Sequence, residues 1–235
     1  MLNLLNMNQP PIQLDPIDSP FPIPWNWLLT IQSEAPADSL HTYRTSALLS
    51  PDGNYIAYSR LQMRVGSDII CSQVSSTLFV ENLQTRELRT VSPTSPLSNN
   101  PFAAQGESDL AGSIAIALPI AWSETGDRLL CREFESRFAA SHASDYAVVW
   151  ERFSGNVYTL APSFVNYTNA VLLGWSQRFP DRALFRCCNL GDPEVHYCTV
   201  DLQGQTHVAT EDQPLTFGLI KTHLWAGPQV GFRAS

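Results

Sequence analysis

Three stretches of this 235-residue chain repeat one pattern: an apolar run, a serine, a short polar turn and a second apolar run. They read TSALLSPDGNYIAYSR (residues 45–60), LPIAWSETGDRLLCRE (118–133) and VLLGWSQRFPDRALFRC (171–187), the last with one extra residue in its turn. The aligned serines are Ser50, Ser123 and Ser176. The pattern predicts hairpins. Asp52-Gly53 and Thr125-Gly126 supply residues that tolerate positive φ in a tight reversal, and Pro51 presets φ at the turn entry. The third copy uses Pro180-Asp181 instead. The flanking runs are apolar on both faces, as in strands sandwiched between neighbouring sheets.

A second strand–turn–strand element follows each hairpin: residues 76–91, 145–160 and 195–209. Gly155 and Gly204 mark two of its turns, and Arg86 stands at the matching place in the first. Four antiparallel strands in meander order make one β-propeller blade. The expected fold is therefore all-β: a propeller or partial propeller with three recognisable blades, at about 41–92, 113–161 and 169–210. The serines lie 73 and 53 residues apart, against about 40–50 in typical propeller repeats, and the excess falls in loops.

Ser50, Pro51, Asp52 and Gly53, followed by an apolar run and by the outer hairpin V-x-N-L-x-T-x-x-x-x-x-V, resemble the TolB-type (PD40, WD40-like) propeller repeat. Ser123 and Gly126 match its motif in part, with Glu124 and Thr125 in place of Pro and Asp; the copy around Ser176 departs further. The resemblance covers roughly residues 45–209. It implies a fold and not an activity, because such repeats serve enzymes and binding proteins alike. The hydrolase domain that follows these propellers in prolyl oligopeptidases has no room in this chain.

Three blades fall short of the usual ring of four to eight, and an open end exposes apolar sheet. Three solutions offer themselves: a fourth blade built from the termini, a homodimer, or docking of the open edge on a larger partner. The first is favoured. Residues 24–32 (PWNWLLTIQ) and 215–224 (LTFGLIKTHL) are apolar enough for strands and would bury Trp25, Trp27 and Trp225. Residues 1–40 then form a Pro-rich arm with a closing strand, extended over 8–24, and residues 211–235 a C-terminal strand and tail.

The turns within the hairpins are short, whereas the longer connections, at 61–75, 92–112, 135–144 and 161–169, all emerge on the opposite face. Insertions gathered on one face of a rigid scaffold point to a binding surface; the alternative is that loops lengthen at small entropic cost. The candidate binding residues on these loops are Arg64, Asp68, Phe102, Glu107, Asp109, Arg137, Phe138, His142 and Tyr167, aromatic residues and Arg being common interface anchors.

Catalytic and metal signatures are weak. His196 and Cys198 share a strand face near Cys187 and Cys188, but adjacent cysteines point to opposite faces and there is no C-x-x-C, so burial as small hydrophobes is the expected role. Gly174-Trp175-Ser176 lacks the second glycine of a nucleophile elbow, and its repeat position accounts for Ser176. The acid pairs Glu107/Asp109 and Glu133/Glu135 are expected to be solvated loop residues rather than a glycosidase pair. No phosphate loop, cofactor or metal site is expected. A net charge of −8 with a single lysine, Lys221, disfavours nucleic acid and anionic membranes. Five cysteines without a disulfide framework, no run long enough to span a membrane and no signal-peptide pattern predict a cytoplasmic protein. The sequence thus points to a non-catalytic protein-interaction or scaffold module. A hydrolase or lyase with a central polar pocket is the alternative, and a subunit stable only within a larger assembly a third reading.

Overall fold

The computed structural model describes residues 14–98, 111–141, 143–163, 166–222 and 225–229. Among these a helix, α1 (Trp25–Glu34), precedes β1 (Leu40–Arg44). Each sequence repeat then folds as a four-stranded antiparallel meander. The first comprises β2 (Ala47–Leu49), β3 (Tyr55–Arg64), β4 (Gln73–Asn82) and β5 (Leu88–Val91). The second is β6 (Ser113–Trp122), β7 (Arg128–Arg137), β8 (Ala143–Glu151) and β9 (Val157–Leu160). The third is β10 (Asn169–Ser176), β11 (Ala183–Cys188), β12 (Val195–Val200) and β13 (Thr206–Val208).

The repeated serines tie the hairpin turns. Ser50 Oγ accepts from Tyr55 N–H at 2.9 Å and donates to Asp52 at 2.6 Å. Ser123 Oγ does the same with Arg128 N–H and Asp127. Ser176 accepts from Phe179 N–H and donates to an acid from outside its repeat, Asp212, at 2.5 Å. Gly53 and Gly126 take φ of +71° and +74°. In the outer hairpins Arg86 adopts φ +62° where Gly155 and Gly204 have +72° and +78°. The equivalence of these three positions is therefore conformational as well as sequential.

Neighbouring meanders touch through repeated contacts. Trp122 donates its indole N–H to Leu48 O, one meander back, and Trp175 donates to Trp122 O. Turn acids bridge likewise: Asp52 to Arg152 at 2.7 Å and Asp181 to Arg128 at 2.6 Å. One apolar cluster, with Leu48, Ala57, Leu78, Trp122, Leu129 and Trp150, fills the space between the first two meanders. A larger one draws on all three and includes Leu61, Ile116, Phe134, Leu172 and Phe185.

The termini depart from expectation. Residues 24–32 are not a strand: most of them lie in α1, which Pro24 precedes and which buries Leu28 against the larger cluster. Nor do the termini make a fourth meander among the described residues. Instead, the segment after the third meander runs as a strap across the inner strands in reverse order. Here β14 (Pro214–Leu215) pairs with β10, Phe217 bridges Trp122, β15 (Leu219–Lys221) pairs with β2, and β16 (Gly227–Gln229) pairs with β1. Gly218, at φ +109°, lets the strap approach: a Cβ there would lie 2.9 Å from Leu49 O and Trp122 Cδ1. Strands fall into an eleven-stranded and a five-stranded sheet.

The arm before α1 is not a free extension either. Asp15 lies inside, where Oδ1 accepts from Ile17 and Ser19 N–H and Oδ2 from Ile23 N–H. Its carboxylate also meets the buried Arg132 at 2.7 Å, and Arg132 in turn holds Asp145 at 2.7 Å and Phe21 O at 2.6 Å. No described helix is long and apolar enough to cross a membrane.

Candidate functional site

The connections β3–β4, β5–β6, β7–β8 and β9–β10 are stitched to one another and to the strand ends. Gly112 N–H donates to Ser72 O, Phe138 N–H to Gly112 O, Leu97 N–H to Glu135 Oε1 and Asn169 Nδ2 to Ala143 O, all at 2.7–2.8 Å. The third-meander connection joins them through Leu190 N–H, which donates to Thr168 Oγ1 at 2.7 Å. These bonds make a platform of segments that would otherwise wander. The strands run further into it than the sequence predicts. Residues 61–64 and 73–75 belong to β3 and β4, and 135–137 and 143–144 to β7 and β8.

The candidate residues separate on this platform. Arg64 and Arg137 end their strands exposed; Asp68 is exposed and accepts from Ile69 N–H, starting the one-turn helix Ile69–Cys71. Phe138 is not a surface anchor but part of the larger apolar cluster, because its backbone bond to Gly112 turns the chain inward. Tyr167 is half-buried, donates its hydroxyl to Pro162 O, and is pushed up to about 12 by burial. Phe102, Glu107, Asp109 and His142 lie outside the described residues. Sequence reasoning missed the apolar side chains on these loops: Ile70 is 56% exposed and Leu190 68%, with Ile69 next to Ile70. Two adjacent isoleucines carry no period, so only the fold shows them facing water.

Between these loops lies a pocket of about 260 Å³, lined by Pro96, Leu97, Glu135, Arg137, Tyr146 and Thr168. Burial raises the Glu135 carboxyl, although Leu97 N–H opposes the shift. Its neighbour Glu133 is fully buried, held well above its ordinary range by burial and by the nearby Glu135 and Asp145. Neither is the solvated loop acid expected from sequence. Both sit on β7, facing the first meander with Leu129 and Cys131.

A second cavity, of about 430 Å³, lies between the arm, the inner strands of the first two meanders and the strap. Pro22, Phe21, Leu118, Pro119, Phe217 and Ile220 dominate it, and its polar side chains are Tyr43, Thr45, Ser46 and Thr216. Pro119 is tolerated because the edge of β6 facing this cavity meets strand partners only at its two ends. No described group of three or more His, Cys, Asp or Glu is placed to hold a metal.

No protein-family model and no curated protein matches this chain. Among solved structures it is similar to a candidate dipeptidyl aminopeptidase IV from Bacteroides ovatus, with 13% identity over 80% of this chain and 29% of that one, at a TM-score of 0.39. It is also similar to the AtxE2 isopeptidase, with 14% identity over 73% and 31% of the two chains, at 0.39. A glycoside hydrolase shows 8% identity over 75% and 59%, again at 0.39. The chain spans less than two thirds of each of these structures.

Proposed function

We propose that this chain is a partial β-propeller of TolB-type blades, acting as a non-catalytic module that binds a protein partner through its long-loop face. The observation that carries the reading is the exposure of Ile69, Ile70 and Leu190, and of Arg64 and Arg137, on loops tied to their neighbours by hydrogen bonds. Apolar residues and arginine presented on a preformed surface suit a protein interface. Its expected setting is the cytoplasm.

The alternative, a hydrolase or lyase with a central polar pocket, needs convergent acids in a pocket, and the lining of the 430 Å³ cavity offers hydroxyls but no carboxylate among the described residues. The test is a pair of photo-crosslinking variants, with the reactive group at Ile70 or at Phe153, a fully presented side chain on the short-turn face. A specific adduct from position 70, lost on adding Arg137→Glu, is the expected result. Adducts from position 153 alone, or turnover of chromogenic ester, peptide or glycoside substrates, would overturn the reading.

A further inference from the structure

Two of the five cysteines meet. Cys187 on β11 and Cys198 on β12 stand with their sulfurs 3.7 Å apart, and both are buried. The register explains the contact. Cys187 lies opposite His196 and Cys198 opposite Phe185, so the two thiols occupy the same sheet face on a diagonal. Cys188, one residue on, points to the other face; Cys131 belongs to the cluster between the first two meanders; Cys71 is an exposed loop residue.

We propose that Cys187 and Cys198 are a reversible oxidation site, closing to a cross-strand disulfide with peroxide as the oxidant. Bond formation requires the sulfurs to move from contact to about 2 Å, which for a diagonal pair takes side-chain rotation together with a local shift of the two strands. A diagonal pair closes with more strain than an opposed one, which favours a bond that forms and reopens over a permanent staple. The thiols are also polarised for the step. At 3.7 Å either sulfur can donate its S–H to the other; with Cys187 as the donor, Cys187 is raised and Cys198 lowered, which makes Cys198 the nucleophile. Its thiolate attacks one peroxide oxygen; the O–O bond breaks, water leaves and a sulfenic acid forms. The Cys187 sulfur then attacks the sulfenic sulfur, and the thiol proton departs with the hydroxyl as a second water. Two thiols lose two electrons and the peroxide gains them.

The bond would join β11 to β12 next to the connection that carries Leu190. The site itself does not depend on that face binding a partner.

The experiment oxidises the full chain with millimolar hydrogen peroxide, alkylates it in denaturant, and maps peptides after cleavage at Asp192, which separates Cys187 and Cys188 from Cys198. The expected product is a 187–198 cross-link in most molecules, reversed by dithiothreitol, kept in Cys188→Ser and lost in Cys198→Ser. Because the serine variant could unfold, the wild-type map is decisive. Alkylated Cys187 and Cys198 under conditions that oxidise the exposed Cys71 would overturn the proposal, as would a cross-link through Cys188.

Discussion

Trp175 donates its indole N–H to the main-chain carbonyl of Trp122 at 2.9 Å, across the boundary between the second and third meanders. Trp122 repeats the gesture toward Leu48. Each tryptophan precedes a repeat serine, so the coupling between meanders is written into the repeat itself. Neighbour contacts of this kind set the stability of stacked-repeat proteins as much as each unit's own. Replacing Trp175 with Phe keeps most of the ring but orphans a buried carbonyl. The expected loss is about 1–3 kcal/mol, read as a lower urea midpoint at unchanged slope. An unchanged midpoint would show that the meanders are held by packing alone.

Arg132 is the single guanidinium between two buried carboxylates, Asp15 and Asp145. Removing it leaves both acids without a cation, and burial already pushes Asp145 up to about 6. Arg132→Met should destabilise the fold by about 3–5 kcal/mol at neutral pH. Adding Asp15→Asn should recover part of the loss, and a double-mutant cycle in urea measures the coupling. Simple additivity would mean that the arm is held by its apolar residues instead.

Glu133 predicts a pH dependence. Its folded value stands well above the ordinary 4.5, so above that value the native state holds a proton that the unfolded chain has released. Stability contributed by this group falls as pH rises through the folded value and is recovered on acidification toward pH 5. Glu135 acts in the same direction. Glu133→Gln should therefore raise stability at pH 8 by about 1–3 kcal/mol and flatten the difference between pH 8 and pH 5. Urea melts at the two values decide it; a parallel shift at both would sink the assignment.

Arg86 holds a left-handed conformation at an exposed turn where the other two repeats use glycine. Arg86→Gly should stabilise the protein by about 0.5–1 kcal/mol, because the strain it relieves exceeds the entropy glycine adds to the unfolded chain. Thermal melting checks the sign.

The meanders were legible because serine, glycine and apolar runs recur with the period of the fold. Arg86 was legible by position, and its φ confirms the alignment. The strands beyond Leu61 were readable too: Leu61, Met63 and Val65 alternate with Gln62 and Arg64, a half-buried pattern taken for loop. Trp25 and Trp27 misled, since an apolar run of this length satisfies strand and helix alike and only the packing of Leu28 decides. The acids of β7 were opaque. Glu133 and Glu135 read as solvated loop acids, and nothing near Arg132 in sequence announces Asp15, 117 residues away. Of the candidate site, the long loops were legible, but the exposure of Ile70 and Leu190 was not.

The strap, at 214–222 and 225–229, reverses the order in which the meanders were made: it meets the third, then the second, then the first. Each meander is local and can form as it leaves the ribosome. Neighbouring meanders touch through their own contacts, but the strap that pairs with their inner strands is translated only after all three are complete. Until then the inner strand edges of a nascent chain stay unpaired, in a crowded polysome where neighbouring chains carry the same edges. Synthesis rate and chaperone access over this last stretch would then govern the yield of folded protein more than the stability of any one meander.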